Sequence, residues 1–247
     1  MLRPVTPGAP IGLGRIGELH TIARAESAAG EVALRRRGDV VELIVGGVFV
    51  MDTVDVSTEL ELATVTLARH PRPRRVLVGG LGLGFTTATV LADERVEALV
   101  VAELAGPLIE WARAGLLPVS GLRDPRITFR HADVAEVLRD GQTDWDVILL
   151  DVDNGPGFLV RPENAELYAR AGLGAAAASL GPGGMLAIWS SHRAPGLHRA
   201  LDSLEVGPVA EVVRDVHRDG REFEYAIYLV TRTTARQTDL STPHTAE

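Results

Sequence analysis

The chain has 247 residues, 46% of them hydrophobic, a formal net charge of -8, and neither cysteine nor lysine. That length suits one large domain with a small appendage, and the apolar fraction builds a core without staples. The acidic balance argues against a general nucleic-acid or anionic-membrane binder, while missing cysteine excludes disulfides, thiolate catalysis and cysteine-held metals.

Missing lysine removes a Schiff base and a P-loop. No apolar run reaches transmembrane length, and the start lacks a basic segment followed by an apolar core. The expectation is a soluble cytoplasmic protein.

Residues 1–30 carry Pro4, Pro7 and Pro10 and read as a loose lead-in, with a short helix near Gly17–Ala29. The β-rich runs Glu31–Arg36, Val40–Val45 and Val48–Met51 are broken by Gly38-Asp39 and Gly46-Gly47, which are hairpin signals. Residues 1–55 are thus expected to hold the lead-in and a small antiparallel β unit. Ser57 opens a helix to about His70, with Leu60, Leu62, Val65 and Leu67 at helical spacing and Pro71 and Pro73 ending it. Strands follow at Arg75–Val78, Ala98–Glu103, Ile127–His131, Asp146–Leu150 and Met185–Trp189. Helices at Phe85–Ala92, Leu108–Ala114, Val134–Arg139, Asn164–Leu180 and 195–204 alternate with them. Val209–Val216 and Glu222–Thr231 form a closing hairpin. Residues 56–231 then make a nucleoside-binding domain, and 232–247 a flexible polar tail. The alternation predicts an α/β fold: a doubly wound, mostly parallel seven-stranded sheet with ligands at the carboxyl ends of its strands.

The chemistry falls at those strand ends. Val76-Leu77-Val78-Gly79-Gly80-Leu81-Gly82-Leu83-Gly84 is a buried strand running into a glycine turn, and Glu103 closes the next strand. Glycines let backbone approach a ligand closely, and a carboxylate some twenty residues on accepts from ribose hydroxyls. The dinucleotide fingerprint G-x-G-x-x-G fails in both frames, at Phe85 and at Thr87. The G-x-G-x-G of Gly80, Gly82 and Gly84 resembles motif I of the S-adenosylmethionine-dependent transferase fold. His131-Ala132-Asp133 is placed to read adenine, with Asp133 accepting from the exocyclic amine and Val134 giving backbone contact; Asp133 also suits a helix N-cap. Asp151 sits where a sulfonium and an acceptor would meet, able to stabilise a cation or deprotonate an amine. It and Asp153 also suit a turn, in Asp151-Val152-Asp153-Asn154-Gly155-Pro156. His192, after the fifth strand, is a weaker acid–base candidate. The seven histidines show no metal spacing, and no serine sits in a nucleophile elbow.

The order of motifs from Val45 to Gly184 resembles the spermidine synthase (polyamine aminopropyltransferase) family of the class I methyltransferase-like fold. It rests on Gly47-Val48 in a hairpin, His70-Pro71-Arg72-Pro73 leading into the first strand, Ala102-Glu103-Leu104, Asp124-Pro125-Arg126 and Ala132-Asp133. Trp145 to Asp151, Glu166-Leu167-Tyr168 and Leu180-Gly181-Pro182-Gly183-Gly184 complete it. The resemblance implies that Gly80, Gly82, Gly84, Glu103, Leu104, Asp133, Val134 and Asp151 hold the nucleoside, and that Asp151 and Asp153 serve catalysis. It also implies a homodimer. The family's turn aspartate is Leu83 here, its acid two places past the ribose ligand is Ala105, and the last positions of its D-S-[ST]-D-P motif are Asn154 and Gly155. The diamine site is thus degenerate, leaving Asp52, Asp55, Glu59, Asp151 and Asp153 to form a different acidic wall.

The expected function is a transferase that binds S-adenosylmethionine or its decarboxylated form, without metal. It moves a methyl or aminopropyl group to a small-molecule acceptor that the sequence does not name, possible amines included. The alternative is a non-catalytic nucleoside-binding or dimerisation module. An NAD-linked enzyme is disfavoured by the failed fingerprint.

Overall fold

The computed structural model describes residues 17–141, 144–159, 161–218 and 221–233. The proline-bearing stretch 1–16 and the tail beyond Thr233 lie outside the described residues.

Four strands, β1 (Leu19–Ser27), β2 (Gly30–Arg37), β3 (Val40–Val45) and β4 (Val48–Asp52), pair in sequence order into an antiparallel sheet. Val45 pairs with Val48, so Gly46 and Gly47 are the whole loop; both take positive φ, at 57° and 79°, as a type I′ turn requires. The helix expected near Gly17–Ala29 is instead β1. Its alanines and charged residues read as helical, but eight residues pair with β2 from Leu19↔Arg37 to Ser27↔Gly30, and this pairing overrides local propensity.

The second sheet takes up the rest. In chain order it is built from α1 (Ser57–Arg69), β5 (Arg75–Gly79), α2 (Phe85–Leu91), β6 (Ala98–Glu103), α3 (Gly106–Ala114), β7 (Ile127–His131), α4 (Val134–Arg139) and β8 (Trp145–Leu150). Then come α5 (Ala165–Tyr168), α6 (Arg170–Ala178), β9 (Leu180–Ser190), α7 (Pro195–Asp202), β10 (Val209–Arg218) and β11 (Arg221–Thr231). The strand order is β10-β11-β9-β8-β5-β6-β7, parallel from β9 to β7, with the β10–β11 hairpin added antiparallel to β9. This is a class I methyltransferase-like Rossmann fold with a small antiparallel unit ahead of it. From β5 the chain winds outward through β6 to β7, then returns to lay β8 on the other side of β5. The crevice between β5 and β8 is therefore the switch point, where backbone loops diverge and leave room for a ligand.

Both faces of the sheet are covered. Val76 and Val78 of β5 pack on one face with α1, α2, α3 and the β-unit residues Val32, Leu34 and Leu43. Leu77 points to the other, with Ile148, Leu150 and the helices α4, α6 and α7. The alternation follows the two-residue strand period. The four-stranded unit thus shares one core with the main sheet and is seated beside the switch point.

Two local differences from the sequence expectation have physical causes. The alanine-rich segment Asn164–Leu180 is not one helix: it breaks at Ala169, whose ψ of 159° is extended. The break follows Tyr168, whose hydroxyl donates to the Val152 carbonyl at 2.7 Å. The Gly181–Gly184 stretch continues into β9, where Gly183 N–H donates to Arg232 O and Arg232 N–H donates to Gly184 O.

Candidate nucleoside site at the switch point

The glycine turn after β5 is held from two sides. Gly80 N–H donates to Ala102 O of β6 at 2.9 Å, and Asp151 N–H, past β8, donates to Gly79 O at 2.9 Å. Gly80 has φ 92°, and a Cβ there would run into the Asp151 carbonyl. Only glycine lets the β5 and β8 loops approach this closely. Gly80 and Gly82 line a cavity of about 160 Å³. Gly84 lies behind them as the left-handed N-cap of α2, facing Val119 and Leu122.

Glu103 ends β6 and turns toward the glycine bend. Its Oε2 accepts from Leu81 N–H at 2.8 Å and its Oε1 from Ala105 N–H at 2.7 Å. Burial pushes its carboxyl upward, and these amide donors oppose that shift. A carboxylate oxygen has capacity for more than one donor, so Glu103 retains acceptor positions on the cavity wall, which it lines.

Asp133, Leu104 and Val134 line the same cavity. Asp133 caps α4, its Oδ1 accepting from Ala135 N–H at 2.8 Å, and capping with one oxygen leaves the other available. Leu104 O is met by His131 Nε2 at 3.0 Å.

Across the crevice, Asp151 is half-buried; desolvation raises its carboxyl, while Thr86 Oγ1 donates to its Oδ2 at 2.6 Å and opposes that shift. Glu59, in the first turn of α1, faces the same space. Burial first, and then the Asp151 charge, push its carboxyl up to about 7, against the Thr58 hydroxyl that donates to Oε2 at 2.8 Å. Asp153 takes a left-handed φ of 55° and accepts from Asn164 Nδ2 at 2.7 Å. Asp151, Asp153 and Glu59 therefore share one wall.

The four-stranded unit roofs the cavity. Met51 Sδ accepts from Leu83 N–H at 3.3 Å, above the glycine turn, with Leu43, Val45 and Val50 beside it. Leu83 itself points into the core and is fully buried. A second chamber of about 150 Å³ adjoins the first; its walls include Asp52, Asp55, Glu59, Trp189 and Tyr225, and among the described residues no arginine or histidine lines it. Trp189 lines both chambers and stacks at 5.6 Å on Tyr225. His192 lines neither; its ring lies against Gly157. Among the described residues, no group of three or more His, Asp or Glu is placed to hold a metal, and no helix is long and apolar enough to cross a membrane.

Sequence reasoning did not single out Met51 or Thr86 for the site. Thr86 was open to recognition, since a hydroxyl one turn past the glycines faces the end of β8. Met51 was not, because its place depends on how two sheets pack.

No protein-family model matches the chain. Its sequence is similar to the polyamine aminopropyltransferase of Thermotoga maritima, at 37% identity over 114 residues, covering 43% of this chain and 38% of the relative. It is also similar to the spermidine synthase of Dictyostelium discoideum, at 31% identity over 149 residues, covering 57% of this chain and 51% of the relative. The matches span about two fifths to one half of the length of these curated relatives. A solved spermidine synthase in complex with the transition-state analogue AdoDATO superposes with a TM-score of 0.71 at 24% identity, over 86% of this chain and 73% of that one. The chain is spermidine synthase-like, in sequence and in fold.

Proposed function

We propose that the chain is a transferase of the aminopropyltransferase type that binds S-adenosylmethionine or decarboxylated S-adenosylmethionine in the chamber at the switch point. It moves an aminopropyl or methyl group to an acceptor held in the adjoining chamber. The observation that carries this reading is the Glu103 carboxylate, fixed by Leu81 and Ala105 N–H with its remaining lone pairs on the cavity wall. Such an acceptor suits paired ribose hydroxyls. Asp133 and Val134 lie where adenine would reach, and Asp151 and Asp153 face the sulfonium with negative charge. The transfer is an in-line displacement whose rate comes largely from positioning. The solved relative holding AdoDATO supports the choice of donor.

Calorimetry with S-adenosylmethionine, its decarboxylated form and NAD tests this, on wild type and Glu103→Ala. We expect a sulfonium compound to bind wild type, and the variant to bind at least tenfold more weakly. No sulfonium binding removes the reading.

A second reading, a nucleoside-binding module without transfer, is favoured by Leu83 and Ala105, apolar and buried where the family's carboxylates stand. Binding without turnover on any amine would select it. For assembly we propose a homodimer through the β4–α1 surface, where Phe49, Val54 and Leu60 are exposed. Sedimentation at micromolar concentration checks it.

A further inference from the structure

Val50, Met51, Glu59, Asn154 and Trp189 line both chambers, so they mark the junction where donor and acceptor would meet. Among these Glu59 alone titrates. Asp151 and Asp153 line the donor chamber only. Asp52 and Asp55 line the acceptor chamber only. A base for the transfer has to reach the proton on the attacking atom, which enters from the acceptor side and reacts at the junction.

We propose that Glu59 is the proton acceptor of the transfer, driven toward its ionised form by arrival of the donor's sulfonium charge. This rests on the reading above. In the step, the lone pair of an acceptor amine forms the new carbon–nitrogen bond. The carbon–sulfur bond breaks with its electron pair going to sulfur, leaving a neutral thioether. The proton released by the nitrogen goes to the Glu59 carboxylate, at the oxygen that Thr58 does not engage.

The surroundings explain why Glu59 holds a proton more readily than an ordinary carboxyl. Asp151 adds its charge from the same wall, and Asp55 adds charge from the loop before α1. Asp153, Glu103 and Asp133 stand on the donor-chamber wall, with Arg161 as the cation there. Asp52 and Tyr225 stand on the acceptor side. Negative neighbours and burial disfavour a further carboxylate, which lifts Glu59 to about 7. A sulfonium placed beside Asp151 and Glu59 reverses that balance. The donor therefore readies the base at the moment it is needed.

The test is calorimetric proton counting. S-adenosylmethionine is titrated near pH 7 into wild type and Glu59→Gln, in two buffers of different ionisation enthalpy. S-adenosylhomocysteine, which lacks the sulfonium charge, is the control ligand. We expect S-adenosylmethionine binding to wild type to release about half a proton, as a group poised near its pKa does. We expect S-adenosylhomocysteine to release much less, and Glu59→Gln to bind S-adenosylmethionine roughly tenfold more weakly than wild type with the release abolished. Equal release from wild type and Glu59→Gln overturns the inference while leaving the nucleoside site standing. Equal release with both ligands overturns the role of the sulfonium. Absence of wild-type binding by both S-adenosylmethionine and its decarboxylated form overturns the site itself and this inference with it; if the decarboxylated form alone binds, it takes the place of S-adenosylmethionine in the same count.

Discussion

Thr86 Oγ1 donates to Asp151 Oδ2 at 2.6 Å, tying the first turn of α2 to the loop after β8 across the switch point. Thr86 is buried and Asp151 half-buried, and this hydroxyl opposes the desolvation that raises the Asp151 carboxyl. In Thr86→Val, of nearly equal volume, the carboxyl loses its donor and its pKa rises further. We expect a stability loss of about 1–3 kcal/mol at pH 8, the cost of an unsatisfied buried polar group. The loss should shrink at pH 4, where Asp151 is more protonated. Urea unfolding at the two pH values checks both.

Glu59 makes stability fall with rising pH. Its folded pKa, about 7, lies above the ordinary 4.5, so between those values the folded chain holds more protons than the unfolded one. Its contribution is fully present below about pH 4.5 and lost as pH rises through about 7. Glu59→Gln should therefore flatten the profile, gaining on the order of 2 kcal/mol relative to wild type between pH 4.5 and pH 8. Denaturant midpoints across that range read it, and a variant profile parallel to wild type would contradict the raised pKa.

Leu83→Asp should unfold the protein rather than rebuild a diamine site. The side chain is fully buried in the core and does not line either chamber. Placing an unpaired carboxylate there costs several kcal/mol. Thermal unfolding should show a fall of at least roughly 5 °C, with no gain in diamine binding.

Gly80→Ala tests the close approach of the two loops. The added methyl meets the Asp151 carbonyl, and φ of 92° strains any L side chain. We expect a loss of about 2 kcal/mol or more. Nucleoside affinity should fall too, since relief of the clash moves Asp151. The exchange Gly183→Ala, near the start of β9, at φ 80° with nothing near the new Cβ, carries the strain without the clash. It calibrates the first effect.

Much of this fold could be read from residues in order. β6, β7 and α4 have the expected boundaries, because each is a short apolar run punctuated by turn or cap residues, as Asp133 caps α4. The break at Ala169 was hidden, since no glycine or proline marks it and its cause is a hydroxyl–carbonyl contact sixteen residues away. β1 was hidden for a like reason: its partner strand, not its own composition, decides its state. For the site, the strand-end acids were visible because the fold dictates where strand ends go. Met51 and the second chamber were not, because they arise from packing between two sheets. Glu59 lay between: its neighbourhood was legible from the helix start, but its place at the junction required coordinates.

Trp189 has a practical consequence. Trp111 and Trp145, the protein's other indoles, line neither chamber, whereas Trp189 borders both. Its Nε1 finds no acceptor among the described residues, and its ring leans on Tyr225. Emission from this one fluorophore should thus report occupancy without any label, and quenching by acrylamide should fall as ligand closes the passage to it.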